Sequence, residues 1–179
     1  MLNQNDCCLV VVDVQGKLAQ LMHDKETLFK NIRILIQSAK ILNIPILWCQ
    51  QVPAALGPTI PQLAELLTDN QPINKSCFSC CGCDEFNSKL EKLGRKHVLI
   101  CGIETHVCLY QTAVDLIERG YAVDCVADAV SSRIPQNKQI GLQKITAEGA
   151  SISSTEMALF EILKSADHPH FKQIAKLVK

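Results

Sequence analysis

HVLICGIETHVCLYQTAVDLIERG, residues 97–120, decides the fold. Its first seven residues, HVLICGI, form an unbroken apolar run of strand length. The remainder carries helical spacing, with Thr105 read as the N-cap and Gly120 just past the end. A strand buried on both faces and followed directly by a helix is half of a parallel crossover unit. Cys108 falls near the start of that helix, where unpaired backbone N–H groups and the helix dipole favour a thiolate.

The same alternation extends in both directions. CLVVVDV, near residues 8–14, reads as a buried strand. Residues 25–42 place Leu28, Ile32, Leu35, Ile36, Ala39 and Leu42 at helical spacing. IPILWCQ is the next strand, with Pro45 suited to its start. QVPAALGPTIPQ is a loop leading into a short helix around 61–67. A helix over 84–93 stops at Gly94. Beyond residue 120 come the strand YAVDCVAD, a helix over 136–148, a short strand near Ala150–Ile152, a helix over 154–164 and the basic amphipathic tail HFKQIAKLVK. This order predicts one domain over residues 1–179. It is a three-layer α/β/α fold of Rossmann type, around a mostly parallel sheet of about six strands. In such sheets the active crevice lies outside the carboxyl ends of the strands. That directs attention to Asp13–Gln15, Cys49–Val52, Gly102–Cys108 and Ala127–Ser132.

Composition sets bounds on partners. Eighteen basic residues balance 18 acidic ones, so the chain has no electrostatic footprint for nucleic acid or an anionic membrane. No apolar run approaches the roughly 20 residues that span a bilayer. MLNQNDCCLVVVDVQ has no basic region before its apolar run and reads as a first strand. Ten cysteines at irregular spacing, with Cys7, Cys8, Cys49, Cys101 and Cys125 inside strand-like runs, predict reduced thiols and a cytoplasmic location.

Three residues draw attention as chemistry. Asp13 ends the first strand, Cys108 opens a helix, and Lys75 sits in QPINKSCFS. Taken singly, each has a bland reading: a capping acid, a packed thiol, a solvated lysine. Together, DVQ at Asp13–Gln15, NKSCFS around Lys75 and GIETHVCLYQTA around Cys108 resemble the Asp–Lys–Cys triad of the isochorismatase-like cysteine hydrolases, which include nicotinamidases. The resemblance covers essentially the whole chain. ALGPTIPQL, ERGYAV, VADAVSSR and HPHFKQIAKLVK resemble more closely still the isochorismatase-domain proteins of unassigned substrate.

The resemblance implies that Cys108 attacks an amide-like or acyl carbon through a covalent thioester-type intermediate. It implies that Asp13 moves the proton and that Lys75 holds Asp13. It also implies a cis peptide at Ile103–Glu104, with an oxyanion hole from the backbone N–H groups of Glu104 and Cys108. Nicotinamidases carry an Asp-x-His metal set after the second strand. Here that segment is WCQQVPAAL, so the expectation is no metal and no other cofactor. Gln15, Trp48, Gln50, Phe78, Thr105 and Tyr110 are pocket candidates, each equally readable as packing beneath a loop. Cys77, Cys80, Cys81 and Cys83 have ligand-like spacing without a second cysteine pair, so packing, oxidation or a regulatory disulfide is preferred over a metal. His106, two residues from Cys108 along a helix, faces away from it and is read as support. The expected partner is a small-molecule substrate, with homo-oligomerisation suggested by the resemblance. A non-catalytic binding module and a redox or metal protein built on the cysteine-rich loop are the competing classes.

Overall fold

The computed structural model describes residues 1–179. Six strands form one sheet: β1 (Cys7–Val12), β2 (Ile46–Gln51), β3 (Ile73–Lys75), β4 (His97–Ile103), β5 (Ala122–Ser131) and β6 (Ser151–Ser153). The order is β3-β2-β1-β4-β5-β6 and every neighbouring pair is parallel. Nine α-helices connect and cover them: α1 (Gly16–Gln20), α2 (Lys25–Ile41), α3 (Pro53–Leu56), α4 (Pro61–Ala64), α5 (Asp84–Leu93), α6 (Tyr110–Glu118), α7 (Pro135–Ala147), α8 (Thr155–Leu163) and α9 (Phe171–Val178).

The strands are apolar on both faces because both faces are covered. Leu9, Val11, Trp48, Leu99 and Cys101 pack with buried residues of α2 and α8 on one side. Cys8, Val10, Val12, Cys49, Ile100 and Cys125 pack with α5, α6 and α7 on the other. Residues two apart share a face, as a pleated strand requires. Along α2, Leu28, Ile32, Leu35, Ile36 and Ala39 are buried, as their spacing predicts.

The strand order reverses direction between β1 and β4, and a crevice opens at such a switch point. Gly102 brings the two strand ends together. It pairs with Val12, and a Cβ there would stand 2.1 Å from the Val12 carbonyl oxygen. Its φ of +119° excludes other residues as well. The residues that follow, Asp13 on one strand and Glu104 on the other, therefore emerge side by side.

Four local features differ from the sequence reading. β3 falls in a stretch to which that reading gives no element, because three residues at a sheet edge are too short to show a period. The short helices α1 and α3 escape for the same reason. The helix expected from Thr105 starts instead at Tyr110, preceded by a π-helical turn over Thr105–Leu109. Glu104 occupies the N-cap position there, with no side-chain cap. Finally, β5 continues past Asp128 to Ser131 through a large bulge, with residues 126–129 set opposite Cys101 alone.

Candidate active site

Three elements deliver the three candidate residues to one place. Asp13 follows β1, Lys75 ends β3, and Cys108 lies in the turn after β4. Lys75 Nζ and Asp13 Oδ2 form an ion pair at 2.7 Å with side chains 0% and 2% exposed. The ammonium also donates to Gln51 Oε1 at 2.6 Å, Phe78 O at 3.0 Å and Cys77 O at 3.2 Å. Its three protons thus have four oxygen acceptors, enough to hold a buried cation. Burial works against the charged lysine, but Asp13, with the Cys80 and Cys108 thiols, outweighs it and raises the pKa.

Asp13 is built differently. Its Oδ1 is buried and accepts no hydrogen bond. Burial raises its pKa and Lys75 lowers it, leaving the carboxyl above its ordinary value. The backbone there is left-handed, φ +53°, and Val52, at the end of β2, also has positive φ, +35°. Such conformations cost about 1–2 kcal/mol at a residue with a side chain. Strain of this kind concentrates at functional sites.

Cys108 is 7% exposed. Burial raises its thiol pKa, the Asp13 carboxylate raises it further, and Lys75 only partly offsets them. This corrects the expectation of a thiolate stabilised by a helix start. Burial and the neighbouring carboxylate favour a neutral thiol, with the lysine committed to that carboxylate.

The peptide Ile103–Glu104 is cis, as the resemblance implied. Glu104 turns its side chain away to Arg133: Oε1 accepts from the Arg133 backbone N–H and Nε, both at 3.0 Å, and Oε2 from Nη2 at 3.3 Å. Burial works to raise the Glu104 carboxyl, and the Arg133 bonds outweigh it and lower the pKa. His106 Nδ1 lies 3.0 Å from Ser132 Oγ, a supporting position as expected. Gly141 of α7 sits against the same turn, where a Cβ would approach the Thr105 and His106 backbone to 3.0 Å.

The pocket candidates separate. Gln15 is fully buried and ties β2 to the loop, accepting from Gln51 N–H at 2.6 Å and donating to Gly57 O at 2.7 Å. Gln50 donates to Thr59 Oγ1 at 2.9 Å. Trp48 packs in the α2-side core, on the face opposite Cys108, so pleat alternation removes it from the thiol's side. Thr105 is fully buried with its hydroxyl unpaired. Phe78 is 54% exposed. Tyr110 is half-buried, with Lys144 Nζ over its ring at 4.6 Å. In the cysteine-rich loop, Cys80 and Cys81 are buried while Cys77 and Cys83 are half-buried. No three His, Cys, Asp or Glu side chains are grouped so as to hold a metal ion. Sequence reasoning missed Gln51, which holds Lys75, and named VSSR without assigning Arg133 its place on Glu104. Gln51 ends β2 at the carboxyl edge, which was the available signal.

A doubly wound parallel sheet with a buried carboxylate–lysine pair and a thiol at its switch point places the chain among α/β proteins of Rossmann type. The isochorismatase domain model matches residues 7–157, and the chain belongs to that hydrolase family. It is 38% identical over 172 residues to isochorismatase domain-containing protein 2 of Danio rerio, covering 95% of this chain and 85% of that one. It is 37% identical over 175 residues to a secreted isochorismatase effector of Phytophthora sojae, covering 96% and 83%. Among solved structures, the MAR1 ribonuclease of Caenorhabditis elegans superposes with a TM-score of 0.93 at 36% identity, covering 99% and 91%. The Escherichia coli YcaC gene product, described as an octameric hydrolase of unknown specificity, has the same fold: TM-score 0.93 at 23% identity, covering 98% and 88%.

Proposed function

We propose that this chain is a cysteine-dependent hydrolase of a small amide-like substrate, with Asp13, Lys75 and Cys108 as its catalytic triad. The observation that carries the reading is the convergence of these side chains at the switch point: a buried carboxylate paired with Lys75 through Oδ2, its Oδ1 accepting no hydrogen bond, with the Cys108 thiol close enough to feel its charge. Cys108 Sγ attacks the carbonyl carbon as Asp13 takes the thiol proton. The oxyanion is held by the backbone N–H groups of Glu104 and Cys108. The tetrahedral intermediate collapses, Asp13 returns the proton to the departing amine, and a thioester remains. Water, deprotonated by Asp13, then attacks the thioester, releasing a carboxylic acid and the free thiol. A raised Asp13 pKa suits both directions of transfer, because a carboxylate that binds its proton more firmly is the stronger base. Lys75 acts through Asp13, since its protons are already engaged.

The test is a turnover screen of amides, carbamates, ureides and nitriles, with Cys108→Ala as the blank. A substrate turned over by the wild type and not by the blank supports the reading; equal activity in both ends it. RNA belongs in the same screen because the nematode relative is named a ribonuclease. The balanced charge of this chain offers little to neutralise phosphates. Homo-oligomerisation is part of this reading, and the octameric YcaC gene product of the same fold supports it. All ten cysteines are unpaired, which supports a reducing, cytoplasmic setting. No helix is long and apolar enough to cross a membrane.

A further inference from the structure

A cavity of about 350 Å³ lies outside the triad, between the start of α2, the β5 bulge and α7. That volume falls within the range of small-molecule sites. Its polar walls are His23, Asp24, Thr27, Asp128 and Lys138; Ala127 and Leu142 line it with apolar surface, above the almost fully buried Leu28 and Val130. None of Asp13, Lys75 or Cys108 contributes.

The charges in this cavity stand apart: Asp24 is exposed, and Asp128 and Lys138 are half-buried. Lys138 is half-buried, yet its ammonium makes no hydrogen bond and no ion pair within 4 Å. Burial pulls its pKa down, while Asp128 and Asp24 pull it up from a distance. Asp128 is swung out of the sheet by the β5 bulge. Its Oδ1 receives the Thr155 N–H at 2.8 Å and the Thr155 hydroxyl at 2.9 Å; its Oδ2 receives nothing. Asp24 stands at the N-cap position of α2 without capping it through its side chain. A flexible lysine next to two carboxylates would ordinarily close onto one of them. Here the groups face one another across a space, with apolar surface beside them.

We propose that this cavity is a second binding site, for a small apolar amino acid in its zwitterionic form. The ligand carboxylate meets Lys138, the ligand ammonium meets Asp24 and the free oxygen of Asp128, and the side chain rests on Ala127 and Leu142. The site completes two charge pairs that the protein leaves open, and each is a charge-assisted contact. Its chemistry is independent of the thiol hydrolase.

Isothermal titration of the full chain tests this with three probes: L-leucine, leucinamide, which lacks the carboxylate, and 4-methylpentanoate, which lacks the ammonium. The expected result is saturable binding of leucine, weakened about tenfold or more for either partial probe. Lys138→Met and Asp24→Asn, on separate elements, should each weaken leucine by a similar factor, and Lys138→Arg should restore it. Cys108→Ala should bind leucine as the wild type does, which keeps this site separate from the triad reading. Absence of saturable heat at millimolar leucine overturns the proposal. So does equal binding of all three probes, or leucine binding undiminished in both Lys138→Met and Asp24→Asn.

Discussion

Cys101 and Cys108 lie seven positions apart in one strand–turn unit, and burial raises the thiol pKa of both. Cys101 sits mid-strand on the α2 side, its Sγ 3.7 Å from the Val10 carbonyl oxygen, and beyond burial only Cys125 bears on its titration. Cys108 sits past the strand's end on the other side, beside Asp13 and within reach of the Lys75 field. The thiols differ little in exposure, 0% against 7%. What separates them is a neighbouring carboxylate. A buried thiol without one is a small apolar side chain; a buried thiol facing an under-satisfied carboxylate can be deprotonated on demand.

The largest test of that contrast removes the proposed nucleophile. Cys108→Ala should abolish turnover, by about 10⁴-fold or more, while Cys101→Ala leaves it unchanged; steady-state assay on a substrate from the screen measures both. Removing the proposed base comes next. Asp13→Asn should slow turnover and Cys108 alkylation by iodoacetamide by roughly 10²–10⁴-fold. In the wild type, that alkylation should fall on acidification as Asp13 gains its proton. Because burial raises this pKa, the loss should begin above 3.8, the ordinary value, and the limb should vanish in Asp13→Asn.

Lys75→Met should cost about 3–5 kcal/mol in urea unfolding, because it strands Asp13 in a buried site. The double variant with Asp13→Asn should recover part of that loss. Cys101→Ala should cost only about 1 kcal/mol, as a loss of packing.

The smallest effect belongs to the support beneath the Cys108 turn. The Glu104 pKa is lowered in the folded protein, so its contribution to stability is present above 4.5 and lost as pH falls through the folded value. Glu104→Gln should remove that acid-side loss. Urea midpoints measured across the acid range would show it, and an unchanged profile would remove Glu104 as its source.

Long elements were legible because their periods repeat. HVLICGI is a strand over the residues read, and the helix over 84–93 has the bounds read. What escaped was short or bent. Lys75 was named from its motif, but the three-residue β3 that carries it was not seen. The π-helical turn beneath Cys108 was read as ordinary helix, since Thr105 followed by apolar residues looks the same in either winding. Trp48 was a pocket candidate equally readable as packing. Which face it took depended on strand register, which alternation assigns only once the neighbours are known.

The residue pattern alone sufficed for the layers, the parallel sheet and its crevice, because periodicity and chain order are local properties; the three residues worth testing came from the family resemblance of the motifs around them. The protonation of Cys108, the four-acceptor cage around Lys75 and the open charges around Lys138 required the folded chain. Each depends on which distant groups burial brings within a few ångströms and which it leaves without a partner. Coulomb energy and desolvation vary steeply over that distance, and no spacing along the chain records it.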